Sequence, residues 1–271
     1  MAVYDINGNE LETSSSSSNY LSGKSLCCAG DSLTDGVALS TLYPQEKTRP
    51  TYGRVCAENN NMQFTNAGWS GSTMTNITIG GSFRNGFSVD RYKNIGDKDY
   101  LTLWFGFNDF RYGAEALKDV YCQEHFSKYY KDCTSEEKEQ CNNFKNWNET
   151  FVGTLDSIDN TTWCGAWNVV LNYLTRNYPD MHIGVILPII TDGNLKDPMR
   201  NNLVAICKKY GIPYIDSMNV NEWTSFGFTD GLSTEMKNYY FTTRTADGYL
   251  HPNERCNRMM ANYLTDFLHK M

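Results

Sequence analysis

Five residues from four separate stretches of the chain have the types needed for acyl transfer: Ser32, Gly71, Asn108, Asp247 and His251. Ser32 stands in Gly30-Asp31-Ser32-Leu33, just past a short apolar run. A hydroxyl there lies at a sheet edge and opens a helix, beside free backbone N–H groups that favour developing negative charge. Such a serine becomes a nucleophile when an imidazole takes its proton. Of the four histidines, His182 leads into an apolar run, His269 is near the chain end and His125 lies in a polar segment. His251 comes after Asp247-Gly248-Tyr249-Leu250 on a loop, so an acid is close by. A neighbouring acid fixes the imidazole tautomer and stabilises the imidazolium. In Asn66-Ala67-Gly68-Trp69-Ser70-Gly71-Ser72 the glycines permit a tight turn, and the Gly71 N–H can face an anion. Asn108, in Gly106-Phe107-Asn108-Asp109, can donate its amide to the same oxyanion. Singly, each has an ordinary reading: an N-cap serine, a glycine loop, an Asx-turn, a surface histidine. Their joint occurrence in this order favours the chemical reading.

The elements that must position these residues are set by hydrophobic patterning. Strands are predicted at 25–29, 100–105, 183–187 and 212–216, short and mostly apolar runs bounded by Gly or Pro, with 62–66 a further candidate. Helices are predicted at 51–60, 163–177, 200–210 and 253–269, the last with Pro252 near its start. Strands alternating with helices imply an α/β fold with a parallel sheet covered on both faces. In such sheets ligands sit beyond the carboxyl ends of the strands. The segment 110–162, rich in Lys, Glu, Asn, Tyr and Cys, breaks the alternation. It reads as a helical or irregular insertion after the third strand, either a lid or pocket wall, or a surface excursion.

With these blocks in place, the chain resembles the SGNH (GDSL-type) hydrolases. Gly30-Asp31-Ser32-Leu33 matches the block carrying the nucleophile, and Asn66 to Gly71 the block whose last glycine gives an oxyanion N–H. Gly106-Phe107-Asn108-Asp109 matches the block supplying the other oxyanion donor, and Asp247 to Pro252 resembles the block with acid and base. The likeness spans about 25–268 and implies a three-layer α/β/α, flavodoxin-like fold and a serine esterase needing neither metal nor cofactor. One departure stands out. The family places the acid three residues before the histidine, whereas Asp247 is four before His251. Either the loop bulges to restore the contact, or the acid is weakly coupled or replaced by a backbone carbonyl. The absence of Gly-x-Ser-x-Gly argues against the other α/β-hydrolase fold.

Composition bounds the partners. Net charge is −7 and the basic residues form no cluster, so nucleic acid is not an expected partner. No apolar run approaches the roughly 18 residues of a membrane span. Nine cysteines include no CxxC pair, which argues against structural zinc. Cys122, Cys133, Cys141 and Cys164 fall in one segment, open to a disulfide outside the cell or to free thiols within it.

Residues 1–23 form a separate N-terminal segment. Asn7-Gly8 signals a turn between short apolar runs, and the Ser14–Ser18 tract reads as a flexible linker, so the hydrolase domain is expected over 24–271. The opening residues lack the basic and apolar regions of a secretory signal, and Tyr4 to Leu11 looks like the N-terminal segments of some phage structural proteins. A cytoplasmic or virion- or prophage-associated protein is therefore expected. The substrate expected is a small-molecule or carbohydrate ester. Trp69 could stack on a sugar ring or lie in the core, and the preferred target is an O-acetyl group on carbohydrate. The alternatives are a lipase or acyl thioesterase, and a non-catalytic glycan-binding or tail-associated module.

Overall fold

The computed structural model describes residues 3–4, 10–11, 19–190, 193–220 and 232–271. The expected Asn7-Gly8 turn and the Ser14–Ser18 linker lie outside them. Val3–Tyr4 pairs antiparallel with Glu10–Leu11.

The core is one parallel sheet. Its strands are β1 (Ser25–Gly30), β2 (Gln63–Gly68), β3 (Tyr100–Trp104), β4 (His182–Ile186) and β5 (Tyr214–Ile215). Their spatial order is β2-β1-β3-β4-β5, with every pairing parallel. β1 and β3 are apolar along nearly their whole length because both of their faces are covered. On one face pack α6 (Trp163–Asn177) and α7 (Gly193–Tyr210), burying Trp163, Trp167, Leu171 and Leu203 with Cys27 and Leu103. On the other lie α2 (Tyr52–Asn59) and α9 (Glu254–Leu268), burying Tyr52, Cys56, Met260 and Leu264 with Leu26 and Cys28. Between α7 and α9 in the chain comes α8 (Thr234–Arg244). This is the α/β/α sandwich expected from the alternation.

Register aligns the strand ends. Gly30, the last residue of β1, pairs with Gly68 of β2 and with Trp104 of β3. Three strands thus end in one row, and the chain segments that leave them are forced into proximity. Ser32, Gly71 and Asn108 all lie within four residues of that row.

The structure departs from expectation at the start of α7 and decides between the two forms expected after β3. α7 begins at Gly193, before the predicted 200, with Pro198 inside it. Pro198 near the start of a helix deletes only one backbone bond, which α7 tolerates while its later turns bury Leu203, Ile206 and Cys207. The segment after β3 takes the helical form of the two expected: α3 (Phe107–Phe126) starts two residues beyond Phe105, and α4 (Ser135–Phe144) and α5 (Trp147–Val152) come next. These helices enclose a small core of Tyr121, Cys122, Cys133, Cys141 and Trp147. Asp119 ties this unit to the short hairpin of Thr78–Ile79 and Ser82–Phe83 by accepting the N–H groups of Gly80 and Tyr130 at 2.7 Å each. All nine cysteines are buried free thiols, and Cys164 belongs to the main core, not to the Cys122 cluster.

Candidate active site

α1 (Ser32–Asp35) starts directly after β1. Asp31, 1% exposed, is its N-cap: Oδ1 accepts the Leu33 N–H at 3.0 Å. That bond fixes the turn from which the half-buried Ser32 side chain projects. Burial pushes the Asp31 carboxyl up to about 7, with the Leu33 N–H opposing and the Asp109 carboxylate reinforcing the rise.

His251 reaches Ser32 from the loop before α9. Its Nε2 lies 2.9 Å from Ser32 Oγ, and its Nδ1 lies 2.6 Å from Asp247 Oδ2. With Nδ1 carrying the proton, Nε2 is the acceptor for the serine hydroxyl. The offset between Asp247 and His251 is absorbed locally. Gly248 takes φ +73°, a left-handed conformation that favours glycine, and the loop closes around the carboxylate. Asp247 Oδ1 accepts three backbone N–H groups, from Tyr249 at 3.0 Å, Leu250 at 2.8 Å and His251 at 3.1 Å. Burial alone would raise the Asp247 carboxyl, but the bonds from His251 and from the loop N–H groups outweigh it and hold it below its ordinary value. The loop is closed at its base, where Ala246 N–H donates to His251 O at 2.7 Å and Thr245 bridges to Pro252. Buried Asn257 of α9 anchors that base: it donates to Pro252 O at 3.2 Å and accepts the Tyr52 N–H of α2 at 2.8 Å.

The segments after β2 and β3 are locked together. Asn108, 8% exposed in the first turn of α3, donates Nδ2–H to Ser72 O at 3.0 Å. An amide carries two N–H donors, so the other stays available and its direction is set. Asp109 is fully buried and accepts Met74 N–H and Thr75 N–H at 2.9 Å each and the Thr75 hydroxyl at 2.7 Å. It holds the loop that carries Gly71, at φ +78°, against the start of α3. Burial raises its carboxyl, against those three bonds. Among the described residues the N–H groups of Ser32 and Gly71 donate to no protein acceptor. At Gly106, φ is +129° and an added Cβ would lie 2.5 Å from Pro188 Cβ and 2.9 Å from the Trp163 ring, so only glycine fits where β3 turns into α3.

The arrangement can pass a proton from a serine hydroxyl to an imidazole held by a carboxylate, beside N–H groups open to an anion. The residue 28–259 stretch, most of the chain, matches the GDSL-like lipase/acylhydrolase family. The chain belongs to that family. Its fold is shared with solved structures at low identity. A Lactobacillus plantarum protein is 21% identical with TM-score 0.59, over 93% of this chain and 99% of the other. A GDSL-like lipase candidate from Bacteroides ovatus is 17% identical with TM-score 0.53, over 92% and 100%. A lipase candidate from Chitinophaga pinensis is 17% identical with TM-score 0.54, over 91% and 98%. No curated protein sequence matches the chain.

Within this GDSL-type framework the structure brings Ser32, His251 and Asp247 into one hydrogen-bonded chain, with Gly71 and Asn108 on the loop and helix held by Asp109. The other histidines are elsewhere. His182 Nδ1 contacts Met271 O at 3.0 Å with its ring stacked on Tyr100. His125 stacks on Tyr121, and His269 lies near Tyr20. Sequence reasoning gives Asp31 and Asp109 no task of their own. Both sit in the motif blocks, but only burial and bond partners reveal what they hold. Trp69 is 54% exposed, so it is not a core residue. The described residues hold no group of His, Cys, Asp and Glu suited to a metal ion, and no helix among them is long and apolar enough to cross a membrane.

Proposed function

We propose that the protein is a serine esterase that removes short acyl groups, acetyl foremost, from carbohydrate by way of an acyl-enzyme. The observation that carries this is the unbroken chain from Ser32 Oγ through His251 to Asp247, with contacts of 2.9 and 2.6 Å. His251 Nε2 takes the Ser32 proton as Oγ bonds to the ester carbonyl carbon. The carbonyl electrons move onto oxygen, where the N–H groups of Ser32 and Gly71 and the Asn108 amide meet the charge. Collapse breaks the bond to the alcohol oxygen, which receives the proton from His251. Water then repeats the sequence: His251 accepts its proton, hydroxide attacks the acyl carbon, and Ser32 leaves with the proton returned. Asp247 keeps Nδ1 protonated and offsets the imidazolium charge throughout.

Family membership supports ester hydrolysis in general. The carbohydrate reading draws its support from the exposed indole of Trp69, which runs directly into the Gly71 segment. The test is hydrolysis of p-nitrophenyl acetate, butyrate and octanoate by wild type and Ser32→Ala. Acetate turnover that vanishes in the variant and falls with chain length is expected. Preference for octanoate would replace the reading with a lipase. No turnover of any ester by the folded protein would leave a glycan-binding module.

A further inference from the structure

Along the edge strand β2, next to the Ser32 site, lies a cavity of about 700 Å³. That is within the range of ligand sites, roughly 300–1,000 Å³. Neither Ser32 nor His251 lines it. Two connections lead from it to them: Asp35 is on the same short helix as Ser32, and the lining residues Trp69 and Ser70 continue into Gly71.

Arg91 is the post around which the cavity is built. Its Nη2 donates to Ala67 O of β2 at 3.0 Å and its Nη1 to Asn85 O of the facing loop at 2.9 Å. Its guanidinium carbon lies 5.5 Å from the centre of the Trp69 ring, supporting the indole at the rim. Arg91 is the one cation among the lining residues, and two of its N–H groups are committed to these carbonyls. An anionic ligand would meet no lysine among the lining residues and would face the carboxylate of Glu46, Asp35 being paired with Arg49 at 3.3 Å. A long acyl chain fares no better, because the side-chain amides of Asn85 and Asn94 would be covered without partners. Those two amides make no hydrogen bond to any other described residue. Carboxylates that accept, amides that donate and accept, and an aromatic plane suited to an apolar C–H face are what a sugar ring requires.

We infer that this cavity binds the sugar rings of a neutral acylated oligosaccharide while its ester is presented to Ser32. The inference rests on the esterase reading above and adds the alcohol side of the substrate. Trp69 stacks on one ring, and Asn85, Asn94 and Glu46 bond to hydroxyls.

The experiment compares kcat/KM on p-nitrophenyl acetate with that on cello-, xylo- and mannotriose carrying a single O-acetyl group each, their other hydroxyls free. In Trp69→Ala the ratio of the best trisaccharide to p-nitrophenyl acetate should fall tenfold or more, mainly through KM. Asn85→Ala should lower it threefold or more, and Trp69→Phe should retain most of it. A ratio unchanged within twofold in Trp69→Ala, or failure to turn over any trisaccharide while p-nitrophenyl acetate is cleaved, overturns the sugar site and leaves the esterase standing. Absence of turnover on p-nitrophenyl acetate as well overturns the esterase reading. Titration of Ser32→Ala with the deacetylated trisaccharides, read by tryptophan fluorescence, then decides the cavity separately: saturable quenching lost in Trp69→Phe supports it, and no binding refutes it.

Discussion

Asp247 grips His251 at two points: Oδ2 meets the imidazole Nδ1 at 2.6 Å, and Oδ1 accepts the backbone N–H of the same residue at 3.1 Å. Ring and backbone are fixed by one carboxylate. For the proposed mechanism, Asp247→Asn should lower kcat on p-nitrophenyl acetate by roughly 10³–10⁴-fold with KM little changed, since an amide favours the wrong tautomer. A loss below threefold would remove Asp247 from the acid role.

Asn108 has one amide hydrogen committed to Ser72 O, which aims the other. Asn108→Ala should lower kcat by about 10²–10³-fold and raise KM far less, the pattern of a group engaged chiefly in the transition state. A raised KM with kcat unchanged would mark it as a ground-state contact.

Asp109 accepts three hydrogen bonds in a fully buried position. Asp109→Ala strands those donors, at about 1–3 kcal/mol of stability if only one stays unpaired. Asp109→Asn keeps an acceptor and should unfold nearer the wild-type temperature. Because Asp109 positions both Gly71 and Asn108, kcat should fall in each variant before KM moves. A kcat preserved in Asp109→Ala would reduce it to a purely structural tie.

Asp31 gives a pH signature. Its carboxyl is pushed up to about 7 from 3.8, so over that interval the folded chain holds a proton that the unfolded chain has released. The resulting stabilisation is fully present below pH 3.8 and is lost as the pH rises through about 7. The wild-type Tm, relative to that of Asp31→Asn, should therefore decline from pH 4 to 8. The variant retains an N-cap for α1, so a constant difference would show that Asp31 is ionised alike in both states.

At Gly106 both conformation and space exclude a side chain. Gly106→Ala should cost about 1–3 kcal/mol or more, by overpacking against Pro188 and Trp163 and by backbone strain. Chemical denaturation would read this as a lowered midpoint with an unchanged slope.

How far such features are legible in the residues depends on whether their cause is local. Four of the five strands include apolar runs bounded by glycine or proline, a pattern visible in the residues themselves, whereas the edge strand β2 is largely polar, and the expected sheet is present. The first turns of α7 escape a sequence reading because Gly193 and Pro198 read as breakers, and it is tertiary burial of later turns that holds them in the helix. The segment that begins with the helix carrying Asn108 is legible only as helical or irregular, because its charged surface hides the apolar face that packs on α4 and α5. The positions of Ser32, Asn108 and His251 in motif blocks are legible, but not the tasks of Asp31 and Asp109, which depend on burial and, for Asp109, on partners far along the chain. The offset of Asp247 leaves three possibilities open, and the conformation of Gly248 brings the carboxylate back to the ring.

The loop from Thr245 to Pro252 has a wider consequence. The acid is wrapped by the residues that follow it and the base of the loop is pinned shut, while Thr245 Oγ1–H to Phe241 O and Asn257 Nδ2–H to Pro252 O tie its two ends to α8 and α9. Acid and base therefore travel as a single cassette whose internal spacing is set by its own bonds and whose ends are fastened to the helices on either side. Grafted between other elements, such a cassette would need only one spacing re-established, that from imidazole to serine.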